Sequence, residues 1–444
     1  MQSLVGTPAK RSIAFRSLGS LTPDPRNARQ HTSKHILQLA KSIESFGFNV
    51  PLLIDQASNV IAGHGRLLAV QRLGWQEVPT ITLEHLTPDQ VKAYRIADNR
   101  LTDCSAWDER LLAEQLLELS TADLDFDLTD IGFEMAEIDL RIQGLSDSEE
   151  DFAEDLLPAP GPVVSQLGDL WNLGCHRVLC GNALEAESYD VLLAGAKAHL
   201  VFTDAPFNTR VQGHVMGNGK IRHDEFVMAS GEMSTQEFTK FLTDAVGHMG
   251  HRLVEGGLLF LVMDWRGAQA LSNAADQHGL KQKNLCIWDK GVGGMGSFYR
   301  SQHELIFLYK KGTASHTNNI QLGRFGRNRT NVWKYAGSHS FGRKQGDENL
   351  LALHPTAKPV AMVADALLDA SERGQAVLDP FVGSGTTVLA AEQTGRIAYA
   401  MDLEPKYVDV AVRRWQKKTG LSAVHAVTGE TFDSRGESAG REVS

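Results

Sequence analysis

One stretch constrains this chain more than any other: VLDPFVGSGTTV, from Val377 to Val388. An apolar run ending in Asp379 has the pattern of a buried parallel strand, and the small and hydroxyl residues after it lead into an apolar helix from Val388 to Gln393. Such a turn sits at the carboxyl end of a strand. Gly383 and Gly385 let the backbone come close to a ligand, Ser384, Thr386 and Thr387 offer hydroxyls, and the helix start offers free amides. Ordinary strand-to-helix bends share this pattern, and the next residues narrow the choice. GRIAYAMDLEPKYVDVAVRRW supplies a second strand, Ile397 to Met401, ending in Asp402, with a new helix near Pro405. A carboxylate roughly 20 residues beyond a glycine turn, at the tip of the next strand, is placed to accept hydrogen bonds from ribose hydroxyls. No Walker lysine comes after the glycines, so the unit suits a nucleoside rather than a phosphate-driven ligand.

At 444 residues the chain has room for two to three domains with a real core. It contains no run of about 18 apolar residues, so no membrane span is expected, and MQSLVGTPAKRSIAF at the start lacks the apolar core of an export signal. Four cysteines in such a length point to a reducing cytosol rather than a disulfide framework. Cys175, His176 and Cys180 lie close together, but no second ligand pair stands at finger spacing, and no metal is expected. The net charge of −10 hides a division. Asp103 to Asp155 holds eighteen acidic residues against Arg110 and Arg141, a balance of −16, whereas Lys281 to Gln345 holds twelve basic residues against Asp289 and Glu304, a balance of +10. The basic segment is interleaved with Phe298, Tyr299, Phe325, Trp333, Tyr335 and Phe341, a combination suited to a polyanion with bases to stack against.

From about residue 12 to 105 the pattern is a small α/β unit. His35 to Phe46 reads as an amphipathic helix ended by Gly47, Pro51 to Asp55 and Val60 to Ala62 as short strands, and Val78 to Leu83 as another. Between them Gly63, His64, Gly65 and Arg66 open a helix whose first turn is suited to holding an anion. Residues 106–165 read as acidic helical stretches leading to an extended linker, SDSEEDFAEDLLPAPGP, where the main domain boundary belongs. A third unit, 166–422, opens with a hairpin and reaches HLVFTDAPFNTR, in which a buried strand, Leu200 to Thr203, ends in the rigid turn Asp204, Ala205, Pro206, Phe207. A planar base bearing an amino group can stack on Phe207 while its N–H points at Asp204. Gln212 to Arg222 reads as a loop able to close over a substrate, and the polar tail 431–444 as disordered.

With these pieces in order, the second half resembles the amino-group DNA methyltransferases of the permuted β class. DPFVGSGTT matches the S-adenosylmethionine motif, DAPF is similar to the DPPY or DPPF catalytic motif, HPTAKP precedes the glycine turn, and the catalytic motif comes before the cofactor motif. The first ninety residues or so resemble the ParB-like nuclease or sulfiredoxin-like superfamily, through SIESFGFNVPLLI, the GHGR turn and LGWQEVPTI. The implied fold is α/β: a Rossmann-like, S-adenosylmethionine-dependent methyltransferase domain with a mixed, mostly parallel sheet, preceded by a smaller α/β ParB-like domain. The resemblance also implies a target-recognition insertion around 281–345.

Carried over residue by residue, the resemblance places the cofactor S-adenosylmethionine against Asn182, Thr356, Lys358, Asp379, Phe381, Gly383, Ser384, Gly385, Thr386 and Asp402. The flipped target base stacks on Phe207, its amino hydrogens accepted by Asp204 and the carbonyl of Ala205, with Pro206 stiffening the turn. Gly63, His64, Gly65 and Arg66 inherit contact with a nucleotide phosphate or the DNA backbone. Three positions depart from the patterns. Ala205 stands for the first proline of the catalytic motif, Asn182 for a carboxylate, and Ala62 for the reactive cysteine of a sulfiredoxin. The expected activity is methylation of the 6-amino group of adenine in a specific sequence of double-stranded DNA, by a cytoplasmic enzyme of a bacterium or phage. A homodimer and a nucleotide at the ParB-like domain are further expected partners. The alternatives are a cytosine 4-amino methyltransferase, a ParB-type DNA- or nucleotide-binding protein with an inactive methyltransferase half, and an enzyme acting on RNA or a protein amide.

Overall fold

A computed structural model describes residues 11–25, 27–103, 107–145, 161–208, 231–291, 293, 298–321, 327, 329–336 and 358–442. Thr356, the segment 212–222, Phe325 and Phe341 therefore lie outside the described residues. The chain divides into two compact units, Met1–Leu145 and Ser146–Ser444, and the division falls where the sequence turns acidic ahead of its prolines.

In the first unit, β1 (Ala14–Ser17), α1 (Ser33–Phe46), β2 (Leu52–Ile54), β3 (Val60–Ala62), α2 (His64–Arg72), β4 (Glu77–Thr82) and α3 (Pro88–Asp103) succeed one another. The four strands pair as β1-β4-β2-β3. Thr32 caps α1 by accepting from the backbone N–H of His35, and Gly47 stops it at a positive φ of 84°. Leu52, Ile54, Val60, Leu67, Val70 and Val78 form the core between helices and sheet.

Two helices, α4 (Glu109–Thr121) and α5 (Met135–Gln143), lie in the segment 106–165 that was expected to be an acidic helical connection, and they form more than a connection. Leu112, Leu116, Leu128, Ile138 and Ile142 pack into a small core of their own. Leucines and isoleucines three and four apart share a helix face. The segment is tied to α1 by Ser45 Oγ donating to Asp130 Oδ2 at 2.5 Å and by the edge-on rings of Phe46 and Phe126, 4.8 Å apart.

The second unit is larger. Its elements are β5 (Leu170–Leu173), β6 (His176–Cys180), α6 (Ala186–Leu193), β7 (Ala198–Asp204), α7 (Thr235–Arg252), β8 (Leu253–Met263), α8 (Ala268–Gln277), β9 (Lys281–Asp289), β10 (His303–Lys310), β11 (Val332–Lys334), α9 (Val360–Ala370), β12 (Ala376–Asp379), α10 (Thr386–Thr394), β13 (Ile397–Asp402), α11 (Pro405–Thr419), β14 (Val424–His425) and α12 (Phe432–Glu442). They build one ten-stranded sheet in the order β11-β9-β10-β8-β7-β12-β13-β6-β5-β14. The central run β8-β7-β12-β13-β6 is parallel, and β10 and β5 run antiparallel beside it.

Strand residues alternate between two cores. Leu200, Phe202, Phe260 and Val377 face the layer of α9, α10 and α11, whereas Val201, Leu259, Leu261 and Leu378 face α6, α7 and α8. Burial on both faces explains why these strands read as continuous apolar runs. From β7 the chain moves to β8 on one side, but β12, arriving much later, takes the other side of β7 and continues to β13. The reversal puts a crevice outside the carboxyl ends of β7 and β12, where ligands of open α/β sheets bind.

Two other expectations fail in this unit. The region 281–345 is not wholly an insertion, since β9, β10 and β11 belong to the main sheet, with Trp288 and Trp333 buried in its core. Arg327 and Arg329 are half-buried or deeper and paired with Asp369 and Asp365 of α9, at 2.8 and 2.6 Å. A local charge count cannot see acids that belong to a later helix. Nor is the tail disordered throughout: α12 starts at Phe432, which is buried against Trp171 with ring centroids 5.2 Å apart. One large apolar side chain with a core position to fill is enough to order the polar helix behind it. Among the described residues no helix is long and apolar enough to cross a membrane.

Candidate active site

The register Val377↔Leu200 and Leu378↔Val201 brings the tips of β7 and β12 side by side. Thr203 Oγ1 donates to Asp379 Oδ1 at 2.6 Å, Thr387 Oγ1 donates to Oδ2 at 2.6 Å, and the Phe381 N–H adds a third bond at 3.2 Å. Asp379 is buried, which raises its pKa to about 6 against the pull of these donors. Its oxygens hold the glycine turn to both strands, a bracing task.

The turn itself has two strained corners, Gly383 at φ 50° and Gly385 at φ 86°. A Cβ on Gly385 would lie 2.7 Å from Ala411 of α11, so this glycine serves close helix packing. Ser384 and Thr386 turn their hydroxyls inward. Arg414 donates to the carbonyl of Ser384 at 2.9 Å and to its Oγ at 3.2 Å, and Thr386 Oγ1 donates to the carbonyl of Lys358 at 3.2 Å. The hydroxyls that sequence inspection offers to a ligand are therefore used by the protein, a partnership that depends on helices distant in the chain.

Asp402 sits at the tip of β13, next along the edge. It accepts from the amides of Gly383 at 3.0 Å and Glu404 at 2.9 Å, and burial still raises its pKa to about 7. Beyond it, Gly181 donates to the Asp402 carbonyl at 2.9 Å, which brings Asn182 to the same strand tip. Asn182 Oδ1 accepts from the Leu184 amide and its Nδ2 donates to Glu185, both at 3.0 Å, so its amide plane is fixed. Phe381 packs its ring against Phe241, 5.9 Å away.

On the other side of Asp379 is the turn Asp204 to Phe207. Ala205 is buried and Phe207 packs partly into both cores. Lys358, expected near the cofactor, forms an ion pair with Asp204 Oδ2, and its carbonyl holds Thr386 of the glycine turn. The same ammonium lies 3.3 Å from Glu304, which is paired in turn with Lys290 at 2.5 Å. Asp204 Oδ1 is buried and makes no hydrogen bond among the described residues. Burial raises the pKa of Asp204 to about 6, with Lys358 opposing the rise. A carboxylate with one oxygen paired and a buried second oxygen unused is an acceptor waiting for a donor. Sequence inspection missed Thr203, Lys290, Glu304 and Arg414; only Glu304, a lone carboxylate opening the apolar strand HELIFLY, left a signal.

In the first unit, Gly63 has φ 100° and caps α2, and Cβ atoms on Gly63 and Gly65 would collide with Leu52 at 2.6 Å and Leu39 at 2.9 Å. Among the described residues His64 Nε2 and Arg66 Nε are buried there without hydrogen-bond partners, and burial lowers both pKa values.

A DNA methylase family model matches residues 198–413, a ParB N-terminal domain model matches 8–99, and a ParB-methyltransferase HTH domain model matches 110–167, the segment of α4 and α5. The ParB-like nuclease domain-containing protein YnaK of Escherichia coli (strain K12) is 43% identical over 81 residues, covering 18% of this chain and 93% of that protein. The type II methyltransferase M.HpaI of Haemophilus parainfluenzae is 23% identical over 254 residues, 54% of this chain and 74% of the relative. Among solved structures, the M1.HpyAVI–SAM complex shares 18% identity, covers 53% of this chain and 97% of its own, and has a TM-score of 0.40.

Proposed function

Because the chain carries an N6/N4 DNA methylase domain, with a ParB N-terminal domain and a ParB-methyltransferase HTH domain ahead of it, we propose that it methylates the 6-amino group of adenine in a specific sequence of double-stranded DNA. The methyl donor is S-adenosylmethionine. The observation that carries this reading is the juxtaposition at the switch point: Asp204 and Asp379 end adjacent strands, linked by Thr203, and Lys358 reaches both turns.

The residues present fit the donor. Asp402 ends the strand after the glycine turn, as a ribose partner should, and Phe381 and Asn182 flank it along the same edge. Bound there, S-adenosylmethionine supplies an electrophilic methyl group on a positive sulfur. Asp204 Oδ1 and the carbonyl of Ala205 accept the two hydrogens of the amino group, which fixes the nitrogen and turns its lone pair toward the methyl. Phe207 offers its ring to the extruded base. With the donor bound, the methyl would pass from sulfur to nitrogen, the broken S–CH3 bond's electrons staying on the now neutral thioether, and the carboxylate of Asp204 would stabilise the charge that nitrogen gains and take the surplus proton on its way to water. An aspartate at the head of the turn favours adenine; cytosine 4-amino enzymes more often have serine there. Ala205 in place of proline keeps the carbonyl and loosens the turn.

At the ParB-like turn, His64 and Arg66 at the start of α2, with Gly63 and Gly65, are proposed to meet a phosphate of a nucleotide or of DNA, a reading supported by the buried His64 Nε2 and Arg66 Nε that make no hydrogen bond among the described residues. Incubating duplex DNA with labelled S-adenosylmethionine and separating the product nucleosides tests the main proposal. The expected product is N6-methyladenine, abolished by Asp204→Ala. Recovery of N4-methylcytosine would replace adenine as the substrate, and no label in either base would overturn the proposal.

A further inference from the structure

We infer that Glu304 is a positioning residue for methyl transfer, acting on Asp204 through Lys358; the inference rests on the function proposed above. Glu304 is buried, and a buried carboxylate persists only where cations meet it. Its Oε1 pairs with Lys290 at 2.5 Å and its Oε2 lies 3.3 Å from Lys358, whose ammonium also pairs with Asp204 Oδ2. Charges therefore alternate along a row from the end of β9 to the end of β7: Lys290, Glu304, Lys358, Asp204. Asp379 on β12 is the remaining carboxylate facing Asp204, and it is occupied by Thr203 and Thr387.

This arrangement has two consequences for the reacting amino group. First, Glu304 gives the ammonium a second anchor, so that Lys358 engages Oδ2 and leaves Oδ1 as the acceptor. Second, Glu304 shares the positive charge of Lys358. An ammonium devoted wholly to Asp204 would make it a poor acceptor, and a missing ammonium would leave it protonated near neutral pH by burial alone. Lys290 in turn offsets Glu304, so neither carboxylate of the row is uncompensated. None of these residues besides Asp204 needs to touch the base.

A strut and a positioning residue differ in their effect on pH dependence. The full-length chain and its Glu304→Gln and Lys290→Met variants should be compared by the pH profile of kcat and by KM for DNA. Glu304→Gln removes a charge that raises Asp204, so the acid limb of kcat should move down by about one pH unit, with kcat at pH 8 reduced about tenfold and KM for DNA within about twofold. Lys290→Met, at a partly exposed site, leaves Glu304 less compensated and should move the limb the opposite way. Opposite displacements support the inference. Acid limbs coinciding with that of the wild type, with kcat lowered equally at all pH values, overturn it and leave Glu304 a strut. Absence of methyl transfer by the wild-type chain overturns both this inference and the function on which it rests.

Discussion

Asp402 shows how burying a single carboxyl makes stability depend on pH. Its carboxyl has a pKa near 7, raised from the ordinary 3.8 by burial. Below about pH 4 it is protonated in folded and unfolded chains alike, and its contribution to stability is complete. As pH rises toward 7 the unfolded chain releases the proton and the folded chain does not, so that contribution is lost. Denaturant titrations at pH 5 and pH 8 should therefore show a smaller loss of stability at the higher pH for Asp402→Asn than for the wild type. Equal losses would mean that the amides of Gly383 and Glu404 fully offset its burial. Asp402 and Asp379 were both legible as strand-tip carboxylates. Their different tasks were not, because the hydroxyls of Thr203 and Thr387 that occupy Asp379 reach it from a neighbouring strand and from the helix beyond the turn.

Among the elements, the glycine turn and the β9–β10 loop invite opposite tests. Gly385→Ala would combine a positive φ with a Cβ 2.7 Å from Ala411, so α11 would have to move. A loss of about 2 kcal/mol in denaturant stability is expected, together with weaker S-adenosylmethionine binding by calorimetry; an unchanged melting transition would contradict the packing role. Phe298 and Tyr299 are 86% and 83% exposed, and β9 ends at the same edge of the sheet as β7. Replacing both with alanine should weaken duplex binding about tenfold or more in a fluorescence anisotropy titration, at unchanged melting temperature. Unchanged affinity would show that the pair does not meet the DNA. Of the aromatic residues that composition assigned to stacking, these two kept their surface, whereas Trp333 was claimed by the core. Sequence patterning recognises an aromatic residue but cannot tell which face of a sheet will cover it.

At the scale of the molecule, the chain has a net charge of −10 and a polyanion as its substrate, so the local arrangement of charge matters more than the total. Lys281 to Gln345 carries twelve basic residues, but Arg327 and Arg329 are neutralised by Asp365 and Asp369. The slope of log Kd against log salt for duplex binding should thus fall short of what twelve phosphate contacts would give. A slope of about ten or more would mean that the α9 pairs open when DNA binds. Order along the chain, local periodicity and short motifs sufficed to specify the two α/β units, the glycine turn, the turn from Asp204 to Phe207 and the methylase resemblance, because strands buried on two faces and turns rich in glycine are written in neighbouring residues. Which side chains meet was decided only by tertiary structure. Asp204 and Lys358 are far apart in the chain, and the ion pair between them exists because β12 inserts beside β7 rather than at the sheet edge. A sheet assembled out of chain order brings distant residues into contact, and no local pattern encodes that contact.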